Sequence, residues 1–431
     1  MIGIVTKNAP AYKTVVPYFA ASSLSYVVFA LLFWFTADEL PLHYTQPGIV
    51  ALTHTSTLLI ISMMTMGTLH QFVPVVFKAK LYSEKLAYYN FYLFSLSSGY
   101  LITAFYTNSF LTHVPIAASL VSISLWLFIY NILMSYRGKK QNDIASVFIL
   151  SALFWLFITT IYGLLQAFNF RYSYLNNSLD YLKFHVHTGL IGWLLLLVIG
   201  VSSILLPMFF ISHRYTDKKL LKYSFYLINT GLISLWIYWQ LIAVSYLLII
   251  AWGLIITGTG FYLTYIYQSF KYKKKKLDIM MRHSALAFVF FIIPLIFSLI
   301  LVFDLQNGSK YMLNSIYIYA FGIIIGFYTN LITGISYRTL PFIIWLVKYK
   351  KFLGKKKVPK PDDLYYNNIG KLQFYIYAVM LIVLFIALYS TNTILLKIAA
   401  FLLLSSATLF NVNVFIIICK SSEHLTKNKI L

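Results

Sequence analysis

The chain has 431 residues; 60% are hydrophobic, only 10% are charged, and the formal net charge is +23. That hydrophobic excess excludes an ordinary soluble domain, and the many apolar runs long enough to cross a bilayer point to a polytopic helical membrane protein. The basicity does not imply nucleic acid: thirty of the 34 Lys and Arg fall in segments assigned to one side, and only Arg171, Lys183, Lys310 and Lys397 on the other. That is the positive-inside asymmetry of a membrane protein.

Twelve spans are predicted, at 15–35, 49–77, 86–108, 114–136, 143–167, 185–212, 220–241, 243–268, 284–304, 315–347, 370–390 and 393–418. Lys7 and Lys13 lead directly into the first span, with no cleavable signal in view;. The cation asymmetry makes both termini cytoplasmic and suggests a multi-pass protein of a bacterial inner membrane. KYKKKK (271–276) and KYKKFLGKKKVPK (348–360) are then inner loops facing anionic lipid;. The single cysteine, Cys419, permits neither an intrachain disulfide nor a thiolate metal cluster;.

A frame recurs along the chain. His54 is followed by Gly67 and Pro74, His187 by Gly200 and Pro207, and Phe321 by Gly334 and Pro341, always thirteen and twenty positions on. The three anchors are 133 and 134 residues apart. Such even spacing argues for a three-fold internal repeat, with units at about 1–140, 141–278 and 279–431 inside one transmembrane domain, 1–431. The expected fold is all-α: twelve transmembrane helices in three four-helix repeats around a pseudo-three-fold axis, with the second, sixth and tenth spans innermost. The glycines permit close helix approach, and each proline frees a carbonyl that a neighbour must satisfy.

Histidine carries the candidate chemistry, because inside a membrane it is costly and usually faces the bundle interior with a partner. His54, His185 and His187 lie toward the outer ends of their spans. Two residues apart on a helix, His185 and His187 point about 200° apart, so they serve two clefts rather than one ion. A neutral imidazole at any of the three suits haem iron; the plainer alternative is a hydrogen bond to a neighbouring helix. His43 and His113 lie by outer loops, and His70 is deeper. His213, His283 and His424 are expected near the inner surface, solvated.

All eleven Asp and Glu fall in loops or at span ends, Asp304 being nearest the interior. This argues against a proton pump and against a carboxylate-rich Mg or Ca site. No Walker loop, dinucleotide fingerprint or HExxH motif is present. Met63, Met64, Met66 and Met208 could suit Cu(I), but adjacent methionines face different ways and read better as adaptable packing.

His-x-His on a membrane helix, with Gly and Pro thirteen and twenty residues beyond its second histidine, resembles the haem-copper oxidase subunit I superfamily, as do twelve spans in three units of four. The flavour is that of short relatives of the cbb3-type subunit. The family's His-x-His helix ligates two haems, one from each face. The resemblance therefore implies haem b, one group expected and a second left open, held in a cleft shared by the second and sixth spans. Its ligands would be His54 and either His187 or His185, with Arg171 and Lys183 pairing its propionates. The departures are marked. The family's pair lies on the tenth span, where this chain has Tyr319 and Phe321, and the seventh span has none of the copper-binding histidines. Copper, oxygen reduction and proton pumping are accordingly not expected. The implied role is electron transfer, or binding of nitric oxide or oxygen, in an oxidoreductase-like protein whose reaction the sequence does not give. The bilayer is the expected surrounding, and a cytochrome or partner redox subunit the expected electron partner. Copper or haem handling, and a scaffold that has lost its cofactor, are the alternatives.

Overall fold

The computed structural model describes residues 8–138, 143–212, 217–274, 276–307 and 312–420. Lys310, His213 and His424 lie outside the described residues, as does the side chain of Asp304. Among the described residues there is no strand, and the long helices number twelve. They are α1 (Tyr12–Thr36), α2 (Pro47–Val76), α3 (Glu84–Tyr106), α4 (His113–Arg137), α5 (Ile144–Tyr172) and α6 (Ser178–Phe210). The second half comprises α7 (Lys218–Gln240), α8 (Ser245–Lys271), α9 (Ile279–Asn307), α10 (Met312–Lys348), α11 (Asn367–Ser390) and α12 (Thr393–Cys419). Eleven are long and apolar enough to span a membrane. The twelfth, α3, is more polar because it turns Asn90, Ser97 and Ser98 inward, where Ser124 of α4 donates to Asn90 at 2.8 Å.

Most expected boundaries stand within a few residues of the helices. The largest differences are at α6, which starts at Ser178 rather than 185, at α5, which runs on to Tyr172 rather than 167, and at α9, which starts at Ile279 rather than 284. The added turns of α5 and α6 are polar or aromatic and show no apolar run, so hydropathy misses them. The histidine pair therefore sits inside α6, two turns from its start, rather than at its mouth.

The central trio is as expected. In the most apolar stretch of each helix, 89% of residues are buried in α10, 83% in α6 and 61% in α2, against at most 50% elsewhere. Side chains tie the three together pairwise. Trp193 of α6 donates to Ser62 of α2 at 3.4 Å, Tyr328 of α10 donates to the Leu190 carbonyl of α6 at 2.6 Å, and Ser336 of α10 reaches the Met64 sulfur of α2 at 3.5 Å. Between them lies an apolar cavity of about 40 Å³.

Each central helix widens into a π-helical segment of eight residues, and each segment begins one residue after the anchor. They are Thr55–Ser62, Thr188–Leu195 and Gly322–Thr329, following His54, His187 and Phe321. A π winding leaves carbonyls poorly served by its own helix, and in a bilayer they must be satisfied from outside. One carbonyl in each segment accepts a hydroxyl from another helix: Ile60 from Ser22, Leu190 from Tyr328, and Ile325 from Tyr377. Tyr328→Phe strands the Leu190 carbonyl, and we expect a loss of about 1–2 kcal/mol, at the upper end of interhelical bonds in membranes. Unfolding of the detergent-solubilised protein checks it.

The repeated glycines and prolines act as packing devices. A Cβ at Gly67, Gly200 or Gly334 would stand 2.6, 3.0 or 2.5 Å from the Cβ of Tyr18, Phe148 or His283, on the first helix of the same unit. Pro207 removes the hydrogen bond to the Ser203 carbonyl, and Tyr265 of α8 supplies a replacement at 2.9 Å;.

Candidate functional site

His54 and His185 face one another across the cleft between α2 and α6. Their ring centroids are 6.5 Å apart and their planes 20° from parallel. His54 closes the α-helical part of α2, just before the π segment, and its Nδ1 lies 2.9 Å from the Val50 carbonyl one turn back. His185 is held by another helix: its Nδ1 lies 2.9 Å from the Thr159 carbonyl of α5. Its ring rests on Gly163, where a Cβ would stand 3.0 Å from the imidazole Cε1. A carbonyl oxygen can only accept, so both Nδ1 atoms carry the proton, and both Nε2 atoms present a lone pair. Among the described residues neither Nε2 has a hydrogen-bond partner.

This donor set fits a metal held between two imidazoles. A ring nitrogen bonds a transition metal at about 2 Å and lies about 1 Å from its ring centre, so two imidazoles on one ion stand about 6–6.5 Å apart, centre to centre. Fixing Nδ1 on a carbonyl is also how a metal-binding histidine has its tautomer and direction set.

His187 is not brought to His54. It points into the next cleft, between α6 and α10, as the half-turn separation requires. Its Nδ1 lies 2.6 Å from the Lys183 carbonyl, the same one-turn-back tether that His54 has. Around it are Trp239, Trp252 and Tyr319, at ring distances of 5.2, 5.3 and 6.0 Å. The Tyr319 hydroxyl is buried and without a partner among the described residues. In the third cleft Phe321 packs on Phe33 of α1 at 5.5 Å. The pairs 54 with 185 and 187 with 319 are thus equivalent positions one repeat apart, occupied by His and His, then His and Tyr.

The two cations expected at the propionates are separated. Lys183 pairs with Asp180 at 2.9 Å, one turn before His187. Arg171, at the end of α5, lies over the ring of Tyr172 in a groove against α4. His43 and His113 are exposed, bonded to Thr45 and Tyr100. His283 corrects an expectation. It is fully buried, not solvated, with its ring nitrogens 2.6 Å from Asn330 and 2.9 Å from Gln373. The first turn of α9 is covered by α10 and α11, which proximity to a charged loop conceals. His70 is fully buried between Tyr18 and Phe128, and neither of its nitrogens has a partner among the described residues. Met63, Met64 and Met66 are buried in helix packing, and among the described residues no three His, Cys, Asp or Glu gather in a metal-holding cluster. Thr159 and Gly163 were not among the expected site residues. The signal available was that Gly163 is the only glycine of the fifth span, a mark of close helix approach;.

An all-helical membrane protein of twelve long helices, with imidazole-bearing helices at its centre, defines the class to which this chain belongs. The family described as cytochrome c and quinol oxidase polypeptide I matches residues 12–245, somewhat more than half of the chain, and the chain belongs to that family. Its members usually bind haem, and the imidazole pair is consistent with haem. The matched region contains α2 and α6 with all three candidate histidines and ends before α10, where Tyr319 and Phe321 stand. No curated protein matches the sequence at a significant level.

Proposed function

We propose that this chain is a membrane haem protein that carries electrons, with one haem b held between His54 and His185. The observation that carries the reading is the facing pair of imidazoles, 6.5 Å apart, each with Nδ1 tethered to a carbonyl. Held by His54 and His185, haem iron would have no open position and would be suited to one-electron transfer. The protein's part is to fix both rings before the cofactor arrives, His54 from its own helix and His185 from α5, so that little reorganisation accompanies a change of charge. Of the two cations expected at the propionates, Lys183 shares α6 but stands one turn before His187, on the side of the His187 cleft and opposite His185, and it is paired with Asp180;. A cytochrome or a companion redox subunit would exchange electrons with the site, in a bacterial inner membrane with both termini cytoplasmic. The test is the spectrum of purified, dithionite-reduced protein: absence of Soret and α bands, even after haem is supplied during expression, overturns the proposal.

A second reading adds to the first. His187 is tethered as His54 is, but faces Tyr319 rather than an imidazole. A second haem there would have one imidazole and an open side suited to nitric oxide or oxygen. Haem-to-protein stoichiometry separates the two. With one haem, His187→Ala leaves the haem content unchanged and nitric oxide leaves the spectrum unaltered. With two, the variant loses half the haem, together with the nitric-oxide-sensitive part of the spectrum.

A further inference from the structure

The groove that holds Arg171 has features the haem proposal does not use. It lies between the first half of α4 and the last turns of α5, encloses about 280 Å³, and is lined by Thr112, Ile116, Ser119, Leu120, Phe168 and Arg171, with Tyr172 at its rim. Ile116 and Tyr172 are among the large apolar side chains most exposed on these two helices, at 54% and 62%, so the groove opens outward from the bundle. It sits at the cation-poor end of the molecule, at the last turns of α5. The other two described cations at that end are engaged, Lys183 with Asp180 and Lys397 with Asp38. Arg171 has no carboxylate within ion-pair distance among the described residues; its guanidinium lies 5.6 Å from the centre of the Tyr172 ring. An apolar trough capped by an unneutralised guanidinium is complementary to one kind of molecule in a bilayer, a chain-bearing anion.

We propose that this groove is a binding site for a single anionic glycerophospholipid of the leaflet at the cation-poor face. The guanidinium takes the phosphate through its fork of N–H donors, the Thr112 hydroxyl lies beside the headgroup, and an acyl chain runs along Ile116, Leu120 and Phe168, past Ser119, whose hydroxyl is turned onto the Pro115 carbonyl;. The site is distinct from the lysine-rich loops at the opposite face, where lipid contact is diffuse. It rests on membrane insertion alone and does not depend on haem.

The experiment uses the full-length protein in vesicles of phosphatidylethanolamine and phosphatidylglycerol, with a trace of phosphatidylglycerol carrying a diazirine on one acyl chain. After illumination, labelled peptides are mapped by mass spectrometry. Labelling is expected on 112–120 and on 168–172. Arg171→Gln should reduce it about five-fold, the worth of one cation at an anionic lipid, while labelling near the lysine-rich loops stays unchanged. Ile116→Trp, which fills the trough without touching the charge, should reduce it as well. A diazirine phosphatidylethanolamine that labels the groove equally would overturn the proposal, as would labelling indifferent to both substitutions. Loss of labelling on adding inorganic phosphate at the same concentration as lipid would make this a bare anion site and would also overturn it. Cross-links to another polypeptide in its place would reassign the groove to a partner subunit.

Discussion

We expect His185→Ala to abolish the proposed low-spin haem spectrum, His54→Ala to do the same, and His187→Ala to leave it intact. The expectation follows from which rings meet. His54 and His185 stand 6.5 Å apart with their unprotonated nitrogens unengaged, whereas His187 is in the next cleft among Trp239, Trp252 and Tyr319. Were haem held by these two imidazoles, removing one would open a coordination position on the iron and change its spin state, or would release the haem where the remaining bond is too weak to survive purification. Reduced-minus-oxidised difference spectra and electron paramagnetic resonance of the three variants check it. A variant that merely unfolds is distinguished by its elution in size exclusion and by its helical circular dichroism. His54→Met supplies a second test, since a thioether replaces the imidazole: haem retained with a raised midpoint potential supports ligation by residue 54, and an unshifted potential rules it out. Loss of haem also lowers thermal stability by linkage, about 2.7 kcal/mol where free haem stood at a hundred times its dissociation constant. Were His187→Ala to remove the low-spin bands and His185→Ala to spare them, the assignment of rings to clefts would be wrong.

The repeat explains what could be read from the chain and what could not. Periodicity of Gly and Pro relative to His54, His187 and Phe321 marked the three central helices, because each +13 glycine packs on a side chain of the helix before it in the bundle: Tyr18 of α1, Phe148 of α5 and His283 of α9. Spacing of two on a helix separated His185 from His187 into different clefts, since that follows from helix geometry alone. Which of the two would meet His54 could not be read, because it depends on the hand of the arrangement around the axis, and no local pattern encodes it. The π segments were equally hidden: their residues, such as TSTLLIIS and GIIIGFYT, share no composition, and what stabilises them is hydroxyls from Ser22, Tyr328 and Tyr377, far away in sequence. Hydropathy placed the helix cores well and the ends of α5 and α6 poorly, because those ends mix aromatic and polar residues, most of them partly or fully exposed, with no apolar run. His283 was misplaced for a related reason. Its neighbours in sequence are charged, but its neighbours in space are Asn330, Gln373 and Tyr377.

Gly163→Val should disrupt the site without removing a ligand. The ring of His185 is pressed between two parts of α5. The Thr159 carbonyl fixes Nδ1 at 2.9 Å, and the absent side chain at 163 leaves room for Cε1, which a Cβ would approach to 3.0 Å before any branch is added. A valine there cannot yield, because its backbone belongs to a long helix packed against α6, so the imidazole must turn away. Turning breaks the bond to Thr159 that fixes the ring, the loss of an orienting contact that typically weakens metal affinity about 10–100-fold;. Overpacking adds a general cost of about 1–3 kcal/mol, so the effect on the site has to be separated from the effect on the fold. Gly253→Val is the control: it makes the same change on α8, where nothing lies within 4 Å of the added Cβ. We expect the control to keep wild-type haem content and spectrum, Gly163→Ala to retain haem with weakened binding, and Gly163→Val to lose most of it, with the remainder shifted toward high spin. Haem titration of the three apoproteins, followed at the Soret band, gives the affinities. A Gly163→Val protein that binds haem as tightly as the wild type, with an unshifted low-spin spectrum, would show that His185 does not need α5 to aim it and that the iron lies elsewhere.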